Sequence, residues 1–332
     1  MKKWRIYFIM VILLCISIKL SAQWESSITQ YWQVKGYYNP SYAGISNSIN
    51  TNAIYKYKVA GIDEAPHQFV LTADMPLYLF NKRHGVGFIF YTESIDRFRN
   101  SLFASQYSFK QQIGKGFLNI GFQAGIYQLK YDAGTINTFT NSNQNNYNNI
   151  NLITNKKGAI DINAGISWTA NRFYVGLSAL HVNKPVFYVS NVTGLTDNSF
   201  EYPSNNSSDS LKSYISQSFI LTAGYNIPLF NSFEIQPMIL LLSNRNHAYT
   251  HTAVQLEYNN LYSFGFSWIS KDEYSIFAGT TFQDLGLGYA YTIHTSGYDK
   301  ASKGSHELYL KYNLPLDSFK PRLQPHKSIR FL

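Results

Sequence analysis

Ala159-Ile160-Asp161-Ile162-Asn163-Ala164-Gly165-Ile166-Ser167-Trp168-Thr169 is the stretch that decides the fold. Ile160, Ile162, Ala164, Ile166 and Trp168 fall on one face. Asp161, Asn163, Gly165, Ser167 and Thr169 fall on the other. Strict period two marks a β-strand with one apolar and one polar side. Its length, about ten residues, suits a tilted strand crossing a bilayer. A sandwich in water tolerates one such strand, so recurrence and connection lengths must decide.

The pattern recurs along the chain. Outward-facing sets are Ala53, Tyr55, Tyr57 and Val59; Phe69, Leu71, Ala73 and Met75; Val86, Phe88 and Phe90; Phe103, Ser105, Tyr107 and Phe109. They continue with Leu118, Ile120, Phe122, Ala124 and Ile126; then, after the opening stretch, Phe173, Val175, Leu177 and Ala179; Phe219, Leu221, Ala223 and Tyr225. A run near Phe233 to Leu241 is interrupted by Pro237, which cannot donate to a ladder. Further sets centre on Leu256, Phe266, Ile276, Tyr289 and Leu310. The expected fold is all-β: a transmembrane, antiparallel, up-and-down β-barrel of about 14 strands, the even number that bacterial barrels use.

No Asp, Glu, Lys or Arg falls on the proposed outer faces. A Lys or Arg at the lipid midplane costs about 2–4 kcal/mol, so a lipid-facing surface excludes them. A sandwich core excludes them too, and a water-soluble β protein is the alternative on this criterion alone. Connection lengths favour the barrel. Short turns at Asn81-Lys82-Arg83, Gly114-Lys115-Gly116, Asn171-Arg172, Asn259-Asn260 and Gln283-Asp284 largely alternate with longer stretches. The longer ones run over Ser94 to Asn100, Asp132 to Lys157, Asn183 to Ser213 and Thr295 to Gly304. Membrane barrels place short turns in the periplasm and long loops outside. Both termini are then expected in the periplasm.

Composition agrees. Aromatics make up 17% of the 332 residues and charged residues only 14%, as aromatic girdles and an apolar outer band require. The amino terminus reads as a secretory signal over residues 1–22: Lys2, Lys3 and Arg5, an apolar run from Ile6 to Ile18, then Ser21 and Ala22 before Gln23. Cleavage there removes Lys2, Lys3, Arg5 and Lys19 and no acid, so +9 less 4 leaves +5. It also removes Cys15, the sole cysteine, and with it any disulfide or thiolate metal site. The mild, diffuse positive charge gives no nucleic-acid footprint.

The expected organisation is a signal peptide (1–22), an amino-terminal periplasmic or plug segment (23–48), an outer-membrane barrel (49–314) and a basic periplasmic tail (315–332). The 23–48 segment holds aromatics and turn formers, with Asn39-Pro40 opening a turn and Gly44 suited to positive φ. Three readings stand for it: a plug in the lumen, a docking patch, or a lead-in closing the barrel end. Lys56, Lys58, Asp74, Asp161, Glu234, Glu257 and Lys311 point inward and either line a pore or fill a narrow lumen with ion pairs. The Asn-rich stretch from Asn137 to Asn155 and the stretch from Asn183 to Ser213 are either solvated loops or partner surfaces. The tail, with Lys320, Arg322, His326, Lys327 and Arg330, is either frayed or an electrostatic contact for a periplasmic partner.

Chemistry-bearing motifs are sparse. His247 and His251, four apart on a strand, lie about 13 Å apart, too far for one metal, and read as surface histidines. The sequence contains no Gly-x-Ser-x-Gly elbow and no glycine-rich phosphate loop ahead of a helix. We expect no enzyme and no cofactor.

Asn39-Pro40-Ser41-Tyr42-Ala43-Gly44, just after Gln30-Tyr31, resembles the amino-terminal signature of the PorP/SprF family, outer-membrane proteins of the type IX secretion system in Bacteroidota. Ala65-Pro66, Thr72-Ala73-Asp74-Met75-Pro76-Leu77 and Gly85-Val86-Gly87 extend the resemblance in order and spacing. Tyr31, Asn39, Pro40, Tyr42, Ala43, Gly44, Pro66, Asp74 and Pro76 are the motif positions. Where the family carries Arg-x-Gln-Trp after its first strand, this chain reads Tyr57-Lys58-Val59-Ala60-Gly61. The resemblance implies a non-catalytic barrel of the secretion and gliding machinery that helps secrete or anchor a surface protein. Its implied partners are outer-membrane lipids, a secreted adhesin or other type IX cargo, and periplasmic secretion proteins. The alternative is a passive outer-membrane channel or solute transporter.

Overall fold

A computed structural model describes residues 27–61, 65–96, 98–131, 136–137, 149–150, 153–154, 158–190, 211–230, 232–245, 248–270, 273–296, 300 and 302–316. Among them, fourteen strands form one closed antiparallel wall. These are β1 (Ser48–Tyr57), β2 (His67–Leu79), β3 (Lys82–Ile95), β4 (Phe98–Ile113), β5 (Gly116–Tyr131), β6 (Ala159–Ala170) and β7 (Phe173–Leu180). They continue as β8 (Ser218–Tyr225), β9 (Phe233–Asn244), β10 (Ala248–Tyr258), β11 (Tyr262–Ile269), β12 (Glu273–Phe282), β13 (Leu285–His294) and β14 (Ser305–Pro315). Each pairs with its sequence neighbour. β1 pairs with β14 from Ser48↔Pro315 to Tyr57↔His306, which closes the barrel. Closure satisfies the ladder of every strand and leaves no open edge in hydrocarbon.

β6 keeps the alternation of its sequence. Ile160, Ile162 and Ile166 are exposed on the outside, while Asp161, Asn163 and Ser167 are buried inside. Near the short-turn end, Phe173, Tyr225, Phe233, Tyr258, Tyr262, Phe282 and Tyr312 stand exposed as an aromatic girdle. No described helix is long and apolar enough to cross a membrane.

Pro237 is accommodated inside β9. The ladder to β8 ends at Gly224↔Met238, and a short ribbon, Ile227–Phe230, takes over at Ile227↔Ile235. Pro237 falls in the gap between these two pairings, where the neighbour changes. Two expectations need correction. β1 ends at Tyr57, and Val59 turns inward with φ +56, buried, its N–H donating to Ser305 Oγ at 3.2 Å. Ser94 to Asn100 is not a loop, because β3 runs to Ile95 and β4 starts at Phe98, with Ser94↔Arg99 paired.

The two rims differ. One carries tight turns at Phe80-Asn81, Gly114-Lys115 and Gln283-Asp284. The other carries the connections from Tyr131 to Ala159 and from Leu180 to Ser218. Within these, Val186–Ser190 pairs with Leu211–Tyr214 and with Ile153–Thr154, so the two long connections share one small sheet. In bacterial outer-membrane barrels short turns face the periplasm and long loops the cell surface.

Candidate functional site: an amino-terminal segment inside the lumen

Residues 27–47 lie inside the wall, touching strands on every side. Local chemistry shapes the segment as three single turns, Tyr31–Val34, Lys35–Tyr38 and Pro40–Tyr42. Asn39 caps the last: its Oδ1 accepts the Ser41 N–H at 2.9 Å, and Pro40 follows at the first helical position, where no N–H is needed. Gly44 has φ +66, and any Cβ there would lie 2.6 Å from both Met75 O and Gly85 Cα. Only glycine meets both demands.

The segment crosses the lumen from rim to rim. At the long-loop rim, Glu307 of β14 accepts the N–H groups of Thr29 and Gln30 at 2.6 and 2.8 Å. Lys56 of β1 donates to Ser27 O at 2.8 Å and Thr29 Oγ1 at 3.1 Å. Below this the Tyr31 ring packs on His251 of β10 and Trp32 on Phe277 of β12, with centroids 4.7 and 4.8 Å apart. Midway, Gln106 Nε2 of β4 donates to Gly36 O at 2.7 Å and Ser178 Oγ of β7 to Tyr38 O at 2.6 Å. Nearer the short turns, Tyr42 OH meets Thr222 Oγ1 of β8 at 2.8 Å, and Ser108 Oγ of β4 donates to Ala43 O at 2.7 Å. At that rim Asp74 Oδ1 of β2 accepts the Gly44 N–H at 2.8 Å, and Arg83 of β3 donates to the carbonyls of Gly44, Ile45 and Ser46.

Four inward-facing glycines make room for the motif. A Cβ on Gly85 of β3 would overlap the Ala43 carbonyl, and one on Gly121 of β5 would overlap Pro40 and Ser41. On Gly165 of β6 it would overlap the Asn39 side chain, and on Gly176 of β7 the Tyr42 hydroxyl. These residues look like ordinary wall positions in sequence. The available signal was glycine at inward positions of strands that otherwise carry Asn, Gln and Ser there.

Most motif positions therefore converge. Tyr31, Asn39, Pro40, Tyr42, Ala43 and Gly44 form the segment, and Asp74 holds its lower end. Pro76 sits on β2 opposite Gly85, beside the cradle. Pro66 is apart, at the long-loop rim, where its carbonyl accepts the Lys58 N–H at 2.8 Å. The inward charges are engaged with the wall or the segment. Lys58 pairs with Glu93 at 2.7 Å, and Asp161 with His181 Nδ1 at 2.7 Å. Gln236 donates to Glu257 at 2.8 Å and to Glu234 at 3.2 Å. Lys311 and Lys35 both border two polar cavities of about 210 and 250 Å³ between the segment and the wall, on the short-turn side. Glu307, Lys110, Arg83 and Glu93 were absent from the sequence-based set of inward charges. Glu307, Lys110 and Arg83 hold the segment, and Glu93 pairs with Lys58 of the wall.

His251 is buried against Tyr31 and is not the surface residue expected. His247 lies outside the described residues, as do the 1–22 leader, most of the Asn137 to Asn155 stretch and the basic tail beyond Leu316. Among the described residues no three His, Cys, Asp or Glu side chains cluster to hold a metal ion. Both chain ends, expected in the periplasm, lie outside the described residues; Ser27 is held at the long-loop rim, and Leu316 follows β14 at the opposite one.

Residues 20–312 match the family described as type IX secretion system membrane protein PorP/SprF. The chain belongs to the PorP/SprF family. It is an outer-membrane β-barrel of that secretion system. No curated protein matches it in sequence. Among solved structures it is similar to the CymD monoaromatic hydrocarbon channel (8% identity, TM-score 0.44, covering 85% of this chain and 92% of that one). It is also similar to the toluene transporter TodX of P. putida (9%, 0.43, 83% and 92%). A third is outer membrane phospholipase A of Escherichia coli (9%, 0.34, 80% and 92%). The PorP/SprF match spans the luminal segment, the glycine cradle and all fourteen strands but the last residues of β14.

Proposed function

We propose that this PorP/SprF barrel is a non-catalytic part of the type IX machinery that helps secrete or anchor a surface protein. The observation that carries this reading is the lumen, occupied from rim to rim by the barrel's own segment. A passive pore needs that space for solute. A docking platform needs a rigid barrel with distinct faces. The long-loop face, with the sheet shared by its two long connections, is where a secreted adhesin or other cargo would sit. The short-turn face is open to periplasmic secretion proteins, and lipids surround the apolar band. In this reading Tyr31, Asn39, Pro40, Tyr42, Ala43 and Gly44 plug and stiffen the barrel and do not dock a partner themselves, because they are buried.

The test is a deletion strain. Loss of gliding or of one surface protein, with normal uptake of small solutes, is the expected outcome. A large ion-selective conductance from the purified full-length protein in planar bilayers would instead support the channel reading.

A further inference from the structure

We infer that a recess on the outer wall across β5 to β8 seats an acyl chain of lipopolysaccharide, the phosphate-bearing lipid of the outer leaflet, with Lys184 and Arg245 taking its headgroup. The inference rests on the membrane fold and does not depend on the secretion reading.

The recess follows from ladder register. Phe122 of β5 pairs with Ala164 of β6, Ala164 with Ala179 of β7, and Ala179 with Phe219 of β8. One row across the outer face thus reads Phe-Ala-Ala-Phe. Phe122 and Phe219 stand exposed on strands three spacings, about 14 Å, apart. Between them neither alanine extends beyond its Cβ. In the next outward row towards the short turns, Ile166 and Leu177 face each other and close the recess below. Its volume is about 560 Å³ and its walls are apolar. Ala179 lies six residues beyond Phe173 of the aromatic girdle. That is about 20 Å along the strand, and about 15 Å up once a tilt of about 40° is allowed for. The recess therefore falls in the long-loop half of an apolar band about 25 Å tall, the half that meets the outer leaflet in bacterial barrels.

Hydrocarbon is the medium at that depth, so a lipid chain covers the recess. Lipid tails are as apolar as leucine, and no hydrophobic gain fixes one there. What a recess adds over a flat wall is contact on several sides, and dispersion is collectively large. Selection among lipids needs the headgroup. Two cations stand at the end of the recess nearest the long loops. Arg245 is exposed two residues beyond Ser243, the partner of Phe219 across the β8–β9 ladder. Lys184 is exposed in the turn that follows β7, and the Val182 N–H ties this turn to Ile162 O of β6 at 2.9 Å. Arg and Lys are the side chains that bind phosphate. A lipid carrying phosphate above its acyl chains meets both the charge and the recess, and in the outer leaflet that lipid is lipopolysaccharide.

Lipid retention tests this. The full-length protein is extracted from outer membranes in mild detergent, washed, and assayed by mass spectrometry for lipopolysaccharide and phospholipid per barrel. Ala164→Phe fills the recess, and Lys184→Gln combined with Arg245→Gln removes the cations. Ala278→Phe, which adds the same ring at an exposed position of β12, is the control. The expected result is that the unaltered protein and Ala278→Phe keep lipopolysaccharide in a fixed ratio to barrel. Ala164→Phe and the Lys184/Arg245 double variant should each keep severalfold less. Equal retention by all of these proteins overturns the inference, because the lipid is then carried by the wall at large. So does retention of phospholipid alone, or loss of a co-purifying membrane protein in place of lipid when the recess is filled. Heat-dependent migration on gels confirms that each barrel is folded. The double variant, changed only at exposed positions, keeps the test decisive if Ala164→Phe misfolds.

Discussion

The side chain of Asn39 lies directly on the α-carbon of Gly165. Its Nδ2 donates to Ile166 O at 3.3 Å and to Leu177 O at 3.2 Å, two carbonyls that face each other across the β6–β7 ladder. One amide thus ties the luminal segment to two strands, and no side chain at position 165 leaves space for it.

Gly165→Ala therefore forces Asn39 out of place. Overpacking of this kind costs about 1–3 kcal/mol, and Asn39→Ala, which uncaps the Ser41 N–H and removes two donations to wall carbonyls, costs a similar amount. Because both act on one contact, the double variant is expected to lose less than the sum. Thermal unfolding of the four proteins in detergent measures the cycle, and strict additivity would show that the two residues do not share a contact.

Glu307 binds two successive backbone N–H groups and sits beside Lys56 in a buried site. Glu307→Ala removes one member of a buried charged set, a change that costs about 3–5 kcal/mol when the partner stays charged. The first effect should be local, since the segment above Tyr31 loses its anchor while the ladder is untouched. Limited proteolysis of the detergent-solubilised variant should cut ahead of Tyr31, where the unaltered protein resists. Glu307→Gln, which still accepts hydrogen bonds, should be intermediate.

Removal of residues 27–44 should convert the barrel into a conducting pore, since the wall itself is formed by β1 to β14 without them. Planar-bilayer recordings should show a much larger unit conductance than the full-length protein. A triple variant, Asn39→Ala, Tyr42→Ala and Glu307→Ala, provides the same test without shortening the chain. Conductance equal to that of the unaltered protein in both cases would mean that the segment does not block the lumen.

On the outer face, Ile166→Arg places a cation in the apolar band and should cost about 2–4 kcal/mol. Ile166→Leu keeps the apolar contact and should cost less than about 1.5 kcal/mol. Urea unfolding into lipid vesicles resolves the pair. Lys115→Glu, in an exposed turn, serves as the neutral comparison.

Period-two alternation by itself determined the strands, the face each residue of β6 presents, the absence of charge outside and the number of crossings. Those properties are local: a side chain two residues on always returns to the same face, and lipid tolerates no charge there. Asn39-Pro40 and Gly44 likewise announced a turn, because their backbone preferences do not depend on distant chain. What tertiary structure alone decided was who meets whom inside. Asn39 finds its carbonyls 127 and 138 residues away, and Thr29 finds Glu307 278 residues away. Gly85, Gly121, Gly165 and Gly176 become one cradle only when the five strands from β3 to β7 stand side by side. The placement of Pro237 and the inward turn of Val59 also follow from neighbours fixed by closure. A repeating pattern specifies faces, but contact across a closed wall depends on register and circumference, which no single segment encodes.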